Sequence, residues 1–417
     1  MSHSDPDPDA LRSVIEAEIA RRGPIPFARF MEHCLYHPRH GYYTRGLGGG
    51  GGRDYLTSSG IHEAFGILVA RQAEEMWQRA GRPERFFFVE CGPGEGRFAG
   101  DFLQAAGRSR GGFARALRYL LVEPSPVLQA RQRARLQGRT LLPVEWVAEE
   151  AIERRKGFEG VIFANEVLDA FPVHRIVGTP EGAREVHVDH RDGRLVEVMA
   201  PPSSEAVGRF MAEAGVALEN GQEADLNLAA PCWTAWAIGL LARGYVLVID
   251  YGHEARELYH PARRRGTLLA YHRHRTSEEF LERPGEQDLT AHLDFTALQR
   301  AAERAGGRCL GLTTQARFLL ALGALDLLGD PAGTPGPVSE GDAEDAMRRH
   351  REREALKDLI LPERMGDRFR VLVLGVGEVA RDLRGLSEPW TGSPGAVHAG
   401  PAALGQGAGG IAAHEVA

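Results

Sequence analysis

The sequence predicts an α/β protein built on a Rossmann-like mixed sheet, with an N-terminal helical extension and inserted hairpin and helical segments. Three observations carry that expectation. The apolar run Phe86, Phe87, Phe88 and Val89 stops at Glu90 and enters the alternate glycines Gly92, Gly94 and Gly96. Phe98, Ala99, Phe102 and Leu103 then recur at helical spacing, which completes the strand–turn–helix unit that opens a doubly wound sheet. Further apolar runs end in Glu123 and in Asn165-Glu166, at strand ends where such sheets bind their ligands, and another ends in Asp250-Tyr251-Gly252.

Composition narrows the function classes. The 417 residues suffice for one large domain with insertions or for two. Hydrophobic content of 43% and charged content of 26% are ordinary for a soluble globular chain. A net charge of −7 and a pI near 6.2 give no electrostatic case for nucleic acid. Cys34, Cys91, Cys232 and Cys309 form no C-x-x-C pair, so neither a metal site nor a disulfide framework is expected. No apolar run approaches the roughly 18 residues of a membrane span. The acidic, polar start of the sequence resembles neither a secretory signal nor a transit peptide, so a cytoplasmic location is expected.

Residues 1–84 read as a helical region with a Gly-rich lid loop. Leu11, Val14, Ile15 and Ile19 share one helix face, and Gly23-Pro24 ends that helix. Phe27, Phe30, Met31 and Leu35 line a second helix, which Pro38 and Gly41 stop and an aromatic anchor, Tyr42-Tyr43, follows. The unbroken glycines 48–52 are too flexible for a regular element. Thr57, Ser58 and Ser59 suit the cap of a helix that begins near His62.

The core is expected over 85–172 and 244–375, with 173–243 inserted as short strands and helices. Within the core, Ser125 and Pro126 open a helix, and Val144, Trp146 and Val147 mark a third strand. In the insertion, three short strands alternate around Arg191-Asp192-Gly193-Arg194 as an antiparallel hairpin. Asp294 caps a helix over 295–304, while Asp288 falls in a loop. Residues 369–374 give a last strand, and 385–417 have the composition of a disordered tail.

The glycine turn admits a ligand to the backbone because no Cβ stands in the way. Gly94, Gly96 and Ala99 also satisfy the dinucleotide pattern, so a nicotinamide oxidoreductase stays open, as does an ordinary βα turn. Glu90 and Glu95 flank the turn and repel a pyrophosphate, but they suit the sulfonium and ammonium of S-adenosylmethionine. Glu123, at the end of the second strand, is placed to accept the hydroxyls of a ribose. Asn165 and Glu166 face the crevice, and Asp169 shares the face of Glu166 on a short turn.

Several ordered blocks, among them M-E-H-C-L-Y-H-P-R-H-G-Y-Y, E-C-G-P-G-E-G, N-E-V-L-D-A-F-P-V and D-L-T-A-H-L-D-F, resemble the MidA, or DUF185, family, related to the mitochondrial complex I assembly arginine methyltransferases. The resemblance implies a class I methyltransferase fold, S-adenosyl-L-methionine as cofactor, and an arginine acceptor on a protein of respiratory complex I type. It assigns Glu90, Gly92, Pro93, Gly94 and Gly96 to the methionyl part of the cofactor and Glu123 to its ribose, with Thr57 and Ser58 beside them. Asn165, Glu166 and Asp169 then face the methyl group and the acceptor, with Asp288 or His292 as further candidates for a guanidinium clamp. Thr57-Ser58-Ser59-Gly60 stands where the family has T-S-P-E, which puts substrate specificity in question and leaves a non-catalytic assembly factor as an alternative.

Overall fold

Phe86–Cys91 becomes a strand buried on both faces because its side chains are apolar in both directions. Phe86 and Phe88 enter one core, while Phe87, Val89 and Cys91 enter the other. The computed structural model describes residues 9–48, 58–328 and 340–388. Among them, seven core strands follow the chain as β1 (Phe86–Cys91), β2 (Leu117–Val122), β3 (Val144–Val147), β4 (Phe158–Asn165), β5 (Leu241–His253), β6 (Arg308–Thr314) and β7 (Phe369–Val376). They form the path β6-β7-β5-β4-β1-β2-β3 of an eight-stranded sheet, and Leu293–Asp294 pairs with the end of β5 as the eighth strand.

Neighbours from β3 through β5 are parallel, and β7 runs antiparallel to β5 and β6. This is the mixed Rossmann-like sheet of the class I methyltransferases. Strand order reverses between β1 and β4, so a crevice opens at their carboxyl ends. Strand β6 escapes sequence reading because all its residues are half-buried, which leaves no clean apolar alternation.

Helices Ala64–Arg79 and Arg97–Gly107 cover one face of the sheet, and Ala229–Leu240 and Phe295–Arg304 cover the other. On the first face Phe88 lies 4.3 Å from Phe102, 5.3 Å from Tyr119 and 5.6 Å from Phe163 between ring centroids.

The insertion is more than the expected hairpin. His174–Thr179, Gly182–Arg191 and Arg194–Ala200 are joined by Glu223–Leu226 and by Ile25–Pro26 in a five-stranded sheet. Asp192 (φ 50°) and Gly193 (φ 73°) make the tight turn for which Asp-Gly is favoured. Ile25 pairs with Val188, so the N-terminal region and the insertion share one sheet and one core.

Asp288 lies on a strand, Asp288–Thr290, paired with Leu269–His272, where the sequence reading put a loop. The packed chain also runs past 385: Gly385 is buried against Phe318, and its N–H donates to Gln72 Oε1 at 2.9 Å. The remainder of the expected tail, 389–417, lies outside the described residues, as does most of the Gly-rich loop. Among the described residues no helix is long and apolar enough to cross a membrane.

Phe88→Ala should cost about 3–5 kcal/mol in unfolding free energy, because it empties the centre of the aromatic layer. Urea denaturation followed by tryptophan fluorescence would measure it, and a loss below about 1 kcal/mol would mean that the layer does not carry the core.

Candidate active site

The crevice is a cavity of about 660 Å³. Its floor is the glycine turn. Gly92, Gly94 and Gly96 all have positive φ, at 65°, 51° and 75°. A Cβ on Gly92 would stand 2.7 Å from a methyl of Val167, so the turn can approach the β4 end only without a side chain there. Gly92, Pro93 and Gly94 line the cavity, whereas Gly96, expected beside them, caps the helix Arg97–Gly107 and does not.

Two carboxylates flank this floor. Glu90 is buried on β1 and accepts from the Tyr119 hydroxyl at 2.7 Å. Burial pushes its pKa up to about 8. Glu123 ends β2, and its oxygens accept from Ser125 N at 2.7 Å and Gln132 Nε2 at 3.2 Å. Burial outweighs those bonds and raises it to about 7. Gln132 also donates to the Gly94 carbonyl at 2.7 Å, so one side chain ties the turn to Glu123. Glu95 is paired with Arg135 at 3.0 Å, so the sequence argument that it repels a pyrophosphate falls to Glu90 alone.

The opposite wall is the segment after β4. Glu166 takes a positive φ of 54°, rare for a residue with a side chain. Its N–H donates to the Ile249 carbonyl at 2.9 Å. Asp250 then closes the turn. Its Oδ2 accepts from the N–H groups of Val167, Leu168 and Asp169 at 3.4, 3.1 and 3.2 Å, and its Oδ1 accepts from that of Tyr251 at 2.9 Å.

The Oε1 of Glu166 accepts from Ser58 N at 2.8 Å and from Asn165 Nδ2 at 3.0 Å. Its Oε2 is buried without a hydrogen-bond partner among the described residues. Burial, with Asp169 nearby, raises Glu166 to about 8. Asn165 and Glu166 both line the cavity.

Several expected site residues lie elsewhere. Asp169 is buried but does not line the cavity, because Asp250 turns its backbone inward, where Asp288 is also a neighbour. Ser58 does not line it either: its N–H serves Glu166 and its hydroxyl donates to Gln315. Thr57 lies outside the described residues. Asp288 accepts from the Tyr43 hydroxyl, and His292 stacks on Tyr251 at 6.1 Å, so neither reaches the cavity.

Sequence reasoning missed Asp250, Gln132 and the aromatic lining of Tyr36, Tyr43, Trp233 and Trp236. Asp250 carried the same signal as Glu90 and Glu123, an acid that ends an apolar run. Gln132 sits mid-helix and carried none.

Residues 68–313 match a family model described as "Putative S-adenosyl-L-methionine-dependent methyltransferase". Protein arginine methyltransferase NDUFAF7, mitochondrial, of Danio rerio is 28% identical over 401 residues, which cover 88% of this chain and 87% of that protein. Its Homo sapiens counterpart is 28% identical over 395 residues, 86% of this chain and 81% of that one. A crystal structure of a COG1565 superfamily member from Burkholderia thailandensis bound to S-adenosyl-homocysteine superposes with a TM-score of 0.78 at 32% identity, covering 92% of this chain and 97% of that one. The nicotinamide alternative is dropped, since the matching family uses S-adenosyl-L-methionine. The expected cytoplasmic location is withdrawn as well, because the relatives are named mitochondrial.

The raised carboxyls set a pH trend. Glu90 and Glu123 ionise near 4.5 in the unfolded chain but keep their protons to about 8 and about 7 when folded. The folded state then binds more protons than the unfolded one, and stability falls as pH rises. Half-buried His62, His253 and His292, whose pKa values burial lowers, oppose this only below their usual 6.5. Between pH 6.5 and 8 the Tm of the cofactor-free protein should therefore drop, and Glu90→Gln should flatten the slope. A wild-type Tm that rises across this interval would contradict the assignment.

Proposed function

The chain belongs to the family of S-adenosyl-L-methionine-dependent methyltransferases that its residues 68–313 match, and we propose that it methylates an arginine side chain of a partner protein. It is an enzyme, and S-adenosyl-L-methionine, when bound, supplies the methyl group. The cavity suits that cofactor: an open glycine floor admits it, and Glu90 and Glu123 offer carboxylates to its cationic centres and its ribose. We assign Gly92, Pro93, Gly94, Glu90 and Glu123 to this role.

The observation that carries the acceptor reading is Glu166. One of its oxygens is held by Ser58 and Asn165, and the other is buried, without a partner among the described residues, and part of a residue that lines the cavity. A guanidinium presents N–H groups in a fixed plane and binds best to a carboxylate oxygen not already committed. With the cofactor bound, the nitrogen lone pair would form the new N–C bond as the methyl–sulfur bond breaks and S-adenosylhomocysteine leaves, and the proton the nitrogen loses would pass to Oε2 of Glu166. Burial raises this carboxyl to about 8 in the empty site, and a guanidinium beside it favours the ionised form that can take the proton. Asn165 orients Glu166, whereas Asp169 leaves the clamp and backs the turn. The name protein arginine methyltransferase, borne by the relatives, supports the acceptor class. The family resemblance further supports a partner of respiratory complex I type.

The test uses tritium-labelled S-adenosylmethionine and arginine-containing peptides, read as methylarginine after acid hydrolysis. Glu166→Gln should lower transfer by about 100-fold or more while S-adenosylhomocysteine affinity stays near wild type. Undiminished transfer would remove Glu166 from the reaction, and label found on lysine instead would overturn the acceptor.

A further inference from the structure

Residues 36–48 roof the cavity and are tied down on both of its sides. On the acceptor side, the Tyr36 hydroxyl donates to the Ala170 carbonyl at 3.0 Å, and the Tyr43 hydroxyl donates to Asp288 at 2.8 Å. On the cofactor side, the Thr44 carbonyl accepts from Ser125 Oγ at 3.2 Å and the Gly46 carbonyl from Arg131 at 2.7 Å. The rings of Tyr36 and Tyr43 stack at 5.7 Å with 21° between their planes, and both line the cavity. Tyr36 nevertheless keeps 37% of its surface exposed. It therefore borders cavity and solvent at once, a ring anchored at its hydroxyl and backed by a second ring.

Behind this ring stand buried carboxyl groups, which a bound cation draws into their ionised form. Glu166 lines the same cavity, Asp169 is buried in the turn that carries it, and Asp250 accepts from the amides of that turn from the end of β5. An aromatic face followed by carboxylates attracts a cation, and a planar one stacks on the ring as well.

We propose that Tyr36 is the entry plate for the acceptor: an arginine guanidinium stacks on its open face on the way to Glu166. This rests on the reading of the acceptor as arginine. The anchored hydroxyl fixes the ring angle, and Tyr43, clamped by Asp288, stops the ring from tipping away. The arrangement favours a guanidinium over the compact, more strongly hydrated ammonium of lysine.

The test titrates Nα-acetyl-arginine amide by calorimetry into the full chain saturated with S-adenosylhomocysteine. Nα-acetyl-lysine amide and the uncharged isostere Nα-acetyl-citrulline amide serve as controls. The arginine amide should bind at least about tenfold more tightly than either control, and Tyr36→Ala should weaken it about tenfold. Tyr36→Phe, which keeps the ring, should stay within roughly threefold of wild type. Unchanged S-adenosylhomocysteine affinity and Tm report that the variants fold. Wild-type arginine binding by Tyr36→Ala would overturn the entry plate alone if Glu166→Gln still abolishes transfer. Citrulline binding equal to that of arginine, or no arginine binding by the wild type, would also overturn it. Tighter binding of lysine, with label on lysine, would bring down the arginine reading together with the plate.

Discussion

Asp250 stands at the carboxyl end of β5, 1% exposed, and gives both its oxygens to backbone amides. Those bonds bend the chain after β4 so sharply that Glu166 must adopt a positive φ. A residue with a Cβ enters that conformation at a cost of about 1–3 kcal/mol, and it persists only where its surroundings over-determine it. Here they do. The Ile249 carbonyl takes the Glu166 N–H, Asp250 takes the next three, and Asn227 donates to the Leu168 carbonyl at 2.8 Å. The bend aims Asn165 and Glu166 into the cavity and turns Asp169 away from it. The Glu166 wall of the cavity therefore depends on a side chain that never touches the cavity.

The site also gathers buried acids from several strand ends. Glu90, Glu123, Glu166 and Asp250 all have pKa values raised chiefly by burial. Each costs stability at neutral pH, and a cationic ligand reverses the cost by giving the ionised forms a partner. Destabilisation of the empty protein and affinity for positive charge are thus two faces of one arrangement. The N-terminal roof adds aromatic surface above it, and the insertion sheet holds the roof's helix in place through Ile25 and Pro26.

Much of the core was legible in the sequence because its strands are short apolar runs that end in acids or glycines. Glu90 to Glu95, Glu123 and Asn165-Glu166 all appear in the cavity lining, as the strand-end rule requires. The reading failed where a role depends on residues distant in sequence. Asp169 was grouped with Glu166 by helical spacing, but the turn is a short 3-10 element governed by Asp250, some 80 residues away. Ser58 was read as a cap or a cofactor contact, yet its N–H supports Glu166, 108 positions along the chain. Tyr43 was read as part of an aromatic anchor and Tyr36 was given no role, since nothing local reveals that their hydroxyls reach Asp288 and Ala170.

The most direct test of this account is amide hydrogen exchange over 165–171 in the wild type and in Asp250→Ala. If Asp250 holds the turn, these amides should lose roughly tenfold or more of their protection. The strand Phe86–Cys91 should exchange as before, because its ladder does not involve Asp250. Unchanged protection over 165–171 in Asp250→Ala would contradict the account, and the aim of Glu166 would then need another cause.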